Sequence, residues 1–138
     1  MTQKTLKTLT AALLAATIGT AALTLPAAAG GAISFSYVPT NARDARALQH
    51  GLQLYSLFNA LQNGATIRQF GMNNAAGIGQ NGYGNTGIIH QEGSGHTGTL
   101  QQNGNNHAYG IFQFGQNTNA NVVQSGNGQV GATVQFGW

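Results

Sequence analysis

The feature that most constrains this chain is an eleven-residue repeat. Gln69, Gln80, Gln91, Gln102, Gln113, Gln124 and Gln135 stand eleven apart, and each has Gly two residues later: Gly71, Gly82, Gly93, Gly104, Gly115, Gly126 and Gly137. Self-similarity at a short fixed period means stacked units, none of which buries its apolar face alone. Two residues before each Gln comes Ile67, Ile78, Ile89, Leu100, Ile111, Val122 and finally Thr133. Four before are Ala65, Ala76, Gly87, Gly98, Tyr109, Ala120 and Gly131. Six before are Asn63, Asn74, Asn85, His96, His107, Thr118 and Gln129. All four positions share parity, and in a strand residues two apart lie on one face. Each unit therefore predicts a seven-residue strand with amide, small, aliphatic and Gln pointing inward, the six aliphatics forming the core. The four residues x-Gly-x-x that follow predict a turn, with Gly supplying positive φ. An eleven-residue period also fits a right-handed coiled coil, but a Gly in every unit costs a helix ~1 kcal/mol each time.

A longer period lies inside the first. The residue after each Gln runs Phe70, Asn81, Glu92, Asn103, Phe114, Ser125, Phe136, so odd and even units differ and the true repeat is 22 residues. The predicted fold class is all-β. It is a two-sheet β-solenoid of 22-residue coils, with odd strands stacked in one sheet and even strands in the other. The seven strands make three and a half coils, about 17 Å tall at ~4.8 Å per coil.

Composition narrows the function. The 138 residues hold 5 Lys+Arg and 2 Asp+Glu, against 21 Gly, so the polar surface is built from amides, hydroxyls and Gly. There is no basic stripe for nucleic acid, and no Cys for a disulfide scaffold. Asp44 and Glu92 are the only carboxylates, one in a helical stretch and one at a turn. That leaves no acid/base pair, so no catalytic site and no cofactor site is expected. His96 and His107 occupy the inward Asn position of consecutive units, on opposite sheets. Meeting across a narrow core they would offer a metal pair; the simpler reading, that His stands in for Asn near a turn, is preferred, and no metal site is assigned. Glycine-rich turns without Gly-x-x-x-x-Gly-Lys make no phosphate loop.

The N-terminal part reads differently. Lys4 and Lys7, an uncharged apolar stretch from Leu9 to Leu25, and Ala27-Ala28-Ala29 form the pattern of a secretory signal peptide over 1–29. Cleavage after Ala29 leaves 109 residues with net charge +1. With three Arg in that mature chain, membrane insertion is not expected. Residues 30–62 form an N-terminal segment: Ile33, Phe35 and Tyr37 alternate, and Asn41 with Asp44 opens an amphipathic helix over 42–62. Gly64 is placed to terminate it. Because solenoids need caps, this helix is expected to pack on the first coil and cover its open edge.

In the repeat region, 63–138, the run Gln69-Phe-Gly71-Met-Asn-Asn74-Ala-Ala76-Gly-Ile-Gly-Gln80 resembles the curlin repeat of bacterial curli subunits at every key position. The resemblance implies a secreted structural protein that polymerises into extracellular amyloid fibres of the biofilm matrix, for adhesion and aggregation. It implies as partners the chain itself, other curlin subunits and outer-membrane export machinery, on the surface of a Gram-negative-type bacterium. Later units depart from the pattern at His96, His107, Thr118 and Gln129, and at Gly87, Gly98 and Gly131. The segment before the repeats also lacks the Gly/Asn-rich leader of major curlins. The alternative is a monomeric β-solenoid that binds a surface or ligand.

Two mechanistic expectations follow. Stacked Gln side chains form amide ladders along the axis. The last strand, 129–135, carries no Pro, Lys or acid to blunt its edge, so it is expected to stand open as a template for growth, with Val134 pointing outward to solvent.

Overall fold

The computed structural model describes residues 31–58 and 64–138. The signal-peptide reading over 1–29, its cleavage point, Asn63 and the last residues of the predicted helix lie outside the described residues.

Seven repeat strands form about three turns of a β-solenoid. They are β2 (Ala65–Phe70), β3 (Ala75–Asn81), β4 (Thr86–Ser94), β5 (Thr97–Asn105), β6 (Ala108–Gln116), β7 (Asn119–Asn127) and β8 (Val130–Gly137). The odd units β2, β4, β6 and β8 pair in parallel in one sheet, and β3, β5 and β7 in the other. Every rung joins residue i to i+22, as Gln91 to Gln113 and Leu100 to Val122. The fold is thus the two-sheet solenoid that the 22-residue period predicts.

Strands β4 to β7 span nine residues rather than seven, because pairing continues through the turn glycine. Gly93, for example, has φ +131°, and a Cβ there would sit 1.8 Å from the carbonyl oxygen of Gly115 in the next coil. Only Gly lets two backbones approach so closely. The chain reverses two residues later, at a second left-handed column: Asn73, Gly84, Gly95, Asn106, Asn117 and Gly128, with φ between 53° and 72°. These are the residue types that tolerate this region.

Two departures concern the N-terminal segment. Strand β1 (Ala32–Tyr37) pairs antiparallel with β8, from Ala32 opposite Gly137 to Tyr37 opposite Ala132. The expected free edge of the last strand is therefore occupied. Helix α1 (Ala42–Phe58) follows. Asn41 caps it: its Oδ1 accepts from the Asp44 N–H at 2.9 Å, and its Nδ2 donates to the Asp44 carboxylate at 2.8 Å. The helix does not cover the edge of the first coil. It runs along the outer face of the larger sheet, against β8, β6 and β4, and so carries the chain from β1 at one edge to β2 at the other.

The reason lies in the odd strands, which are apolar on both faces. Their inward residues Ile89 and Ile111 join Leu100, Tyr109 and Ala120 in the core between the sheets. Their outward residues Ile88, Ala108, Phe112, Val130 and Val134 form a second core with Leu52 of α1. Val134, expected in solvent, is 8% exposed beneath the helix. Leu52 lies over Gly110, where a Cβ would come within 2.8 Å of it. The even strands turn polar residues outward, Thr99, Gln101 and Asn121 among them, and attract no cover.

Candidate stacking interface

The Gln side chains form two hydrogen-bonded columns inside the solenoid. In the larger sheet Gln69 donates to Gln91 at 2.7 Å, Gln91 to Gln113 at 2.8 Å, and Gln113 to Gln135 at 2.8 Å. In the smaller sheet Gln80 donates to Gln102 and Gln102 to Gln124, both at 2.8 Å. The second amide hydrogen goes to a backbone carbonyl near the opposite sheet: Gln91 to Ala75, Gln102 to Thr86, Gln113 to Thr97 and Gln135 to Asn119, at 2.7–3.1 Å. A carbonyl oxygen only accepts, so these contacts fix the orientation of each amide. Each column is therefore polar: nitrogens point toward the C-terminal end of the stack and oxygens toward the N-terminal end. Gln91, Gln102 and Gln113 are fully buried, and no buried side-chain N or O lacks a partner among the described residues.

Flanking columns explain the departures from the repeat. Asn74 Oδ1 accepts from the His96 backbone N–H, and Asn74 Nδ2 donates to the Gly93 carbonyl, both at 3.0 Å. Asn85 makes the same pair of bonds with His107 and Gly104. One coil on, His96 uses its ring: Nδ1 lies 2.8 Å from the Thr118 hydroxyl and 3.4 Å from the Thr118 backbone N–H, and Nε2 faces the Glu92 carbonyl at 3.3 Å, the counterpart of a bond from Asn74 Nδ2 to the Phe70 carbonyl. His107 does so with Gln129 at 3.2 Å and Asn103 at 3.2 Å. A carbonyl only accepts, so in each ring Nε2 carries a proton and donates. The structure places the two histidines in separate columns at opposite turns, not as a facing pair. Among the described residues no three His, Cys, Asp or Glu converge on a metal position.

Small-residue positions are matched by larger neighbours, across the core or one coil away. Gly98 leaves room where a Cβ would meet Gln113 Oε1 at 2.9 Å and Gln91 Nε2 at 3.1 Å. Gly131 faces the Tyr109 ring, which a Cβ would meet at 2.5 Å. Tyr109 then donates or accepts at the Thr133 hydroxyl, 2.9 Å away, which accounts for Thr in an aliphatic column.

The two ends of the stack differ. At the N-terminal end Ile67 is 43% exposed, Gln69 is exposed and Ile78 and Gln80 are half-buried, and the edges of β2 and β3 have no strand beyond them among the described residues. Of the six aliphatics assigned to the core, Ile67 is the exposed one, Ile78 and Val122 are half-buried on the edge strands of the smaller sheet, and Ile89, Leu100 and Ile111 are fully buried. Of the seven turn glycines, Gly71 to Gly126 have positive φ, while Gly137 lies between Gly115 and Ala32 in the sheet. At the C-terminal end Gln135 gives its remaining hydrogen to Ser34 Oγ of β1 at 3.3 Å, whereas β7 is an edge.

The curlin associated repeat matches residues 62–93 and 71–104. The chain carries curlin repeats. Strands β6, β7 and β8 continue the same register beyond the matched span. Comparison with curated proteins and with solved structures gives no match. The curlin repeat and the solenoid together point to a curli-related structural subunit, one that associates with curlin subunits, rather than to an enzyme. No helix among the described residues is long and apolar enough to cross a membrane.

Sequence reasoning missed three features. The left-handed Asn/Gly column was present as a third eleven-residue register. The helix-binding face was marked by adjacent apolar pairs in odd units, Ile88-Ile89 and Ile111-Phe112, although one even unit carries such a pair too, Val122-Val123, with Val123 exposed. The pairing of β1 with β8 joins segments about 100 residues apart and had only the alternation of Ile33, Phe35 and Tyr37 to signal it.

Proposed function

We propose that this curlin-repeat chain is a secreted subunit that polymerises, with itself and with other curlin subunits, into curli-type extracellular fibres of the biofilm matrix. The observation that carries the reading is the polar Gln ladder, which runs through all seven repeat strands and ends at one face in the Oε1 acceptors of Gln69 and Gln80. Backbone pairing and stacked amides are what hold a cross-β fibre together. Low charge removes repulsion between identical stacked subunits. Adhesion and aggregation are then properties of the fibre, and passage through export machinery is how the subunit reaches the cell surface. The Gln columns serve as the amyloid ladder and the buried aliphatics as its dry stripe.

The competing reading is a monomeric solenoid that binds through its flat face, and the pairing of β1 with β8 favours it, since that closes one growth edge. Thioflavin-T fluorescence, electron microscopy and fibre diffraction of residues 30–138 separate the two. Fibres with a ~4.8 Å axial repeat are expected. A chain that stays monomeric for days at micromolar concentration would sink the fibre reading.

A further inference from the structure

We propose that the C-terminal end of the stack, formed by the edges of β7 and β8, docks the N-terminal end of a second copy turned by half a turn about the stack axis, and that β1 holds this surface closed until it is displaced. The inference rests on the fibre reading and gives it a polarity, a register and a gate.

The half turn follows from an odd number of strands. The larger sheet holds four repeat strands and the smaller three. A copy added without rotation sets β2 on β8 and leaves β7 facing a gap one strand wide. A half turn sets β2 on β7 and β3 on β8, and both sheets continue unbroken. The eleven-residue period makes this exchange of sheets chemically equivalent: Gln124 meets Gln69, Gln135 meets Gln80, and Gly126 meets Gly71. Ladder polarity agrees, because the incoming face offers the Oε1 acceptors of Gln69 and Gln80 to amide nitrogens of Gln124 and Gln135. The exposed Ile67 lands on Val122 and is buried.

The helix supplies an independent argument. The 17 residues of α1 span ~25 Å at 1.5 Å per residue. They run across the larger sheet, which would repeat every ~19 Å in an unrotated stack. Helices of successive copies would then collide. A half turn puts them on alternate sides and separates those on one side by ~34 Å.

Strand β1 stands in the way. It pairs with β8 from Ala132 to Gly137, the edge that β3 of the next copy needs, and Ser34 takes the hydrogen that Gln135 would give to Gln80. Growth at this face therefore requires β1 to leave.

The chain has no Cys, so engineered thiols report cleanly. Ser36 Oγ and Thr133 Oγ1 lie 2.9 Å apart, and Ser36→Cys with Thr133→Cys would lock β1 onto β8. Oxidised, this variant is expected to elongate at least tenfold more slowly than wild type; reduction restores growth. The register is read separately with single variants, Phe70→Cys mixed with Ser125→Cys, and Phe70→Cys mixed with Phe136→Cys. Fibres of the first mixture are expected to give cross-linked dimers with a short thiol cross-linker, and those of the second not. Wild-type growth of the oxidised lock overturns the gate, and cross-linking in the second mixture instead of the first overturns the half turn. Absence of fibres from wild type and every reduced variant would instead defeat the fibre reading, and the inference with it.

Discussion

The amide nitrogen of Gln135 lies 3.3 Å from the hydroxyl of Ser34, so the last rung of the larger sheet's ladder ends on a residue 101 positions earlier in the chain. A solenoid coil is stabilised mainly by its neighbours, and a terminal coil has only one. Here the missing neighbour is β1, and α1 fastens it by crossing the outer face from β8 to β4. The segment ahead of the repeats thus completes the last coil, while no strand among the described residues covers the first coil.

Gln113 sits mid-column. It accepts from Gln91 and donates to Gln135 and to the Thr97 carbonyl, all within 3.0 Å. Gln113→Ala leaves those groups buried without a partner, at ~1–3 kcal/mol each where water cannot reach. A loss of about 3 kcal/mol in urea unfolding is expected, with visibly slower fibre growth. Gln116, exposed at the end of β6, is the control, and Gln116→Ala should fall within ~0.5 kcal/mol of wild type. Equal losses would contradict the inward assignment.

The repeat was legible because each coil meets a copy of itself: the Gln column and the Gly that lets backbones touch follow from local rules that recur every eleven residues. The contacts of β1 and α1 are made once. Leu52 over Gly110 and Tyr37 opposite Ala132 depend on how a unique segment crosses the finished stack, and periodicity carries no information about that. Tyr109 shows the same limit inside the repeat. A bulky residue in a small-residue column looks like a defect until its ring is seen to fill the space over Gly131.

His96 does with a ring what Asn74 does with an amide. It presents an acceptor to the Thr118 N–H and a donor to the Glu92 carbonyl. His96→Asn should therefore keep the turn intact and lose chiefly ring volume, within about 1.5 kcal/mol. His96→Leu keeps the volume and removes these bonds together with the 2.8 Å contact to the Thr118 hydroxyl, leaving buried polar groups unpaired for ~2–4 kcal/mol. Thermal unfolding of the two variants decides whether hydrogen bonding or volume governs this position; a more stable Leu variant would show that volume does.

Tyr55 ties α1 to the sheet: its hydroxyl lies 2.7 Å from His90 Nδ1, and its ring meets Phe112 edge-on at 5.6 Å. Burial pushes its pKa up to about 12 from 10.0; the Arg68 guanidinium pulls the other way and Glu92 adds to the rise. A folded pKa above the unfolded one means that the fold favours the neutral phenol. Its contribution is complete below pH 10 and is lost as pH rises toward about 12. Urea midpoints of wild type and Tyr55→Phe at pH 9 and above pH 11 should show the wild type losing more over that interval. Parallel losses in the two proteins would refute the linkage.

Gly104 and Gly126 occupy the same turn position one coil apart, with φ +124° and +106°. Alanine at either pays for an unfavourable φ, ~1–3 kcal/mol. At Gly104 the added Cβ would also lie 1.7 Å from the Gly126 carbonyl oxygen, backbone held by the ladder, whereas at Gly126 nothing lies within 4 Å. Gly104→Ala should therefore be the more destabilising by about 2 kcal/mol or more, read from urea unfolding of the monomer. Gly126→Ala should leave a cooperatively folded monomer. In a stack continued on β7, however, the new methyl would meet the Gly71 carbonyl of the incoming copy as the Gly104 methyl meets Gly126. The variant should therefore add to an existing fibre through its N-terminal face and stop growth there, shortening wild-type fibres at low molar ratio. Fibres of wild-type length and rate in its presence would mean that β7 is not covered when the stack grows.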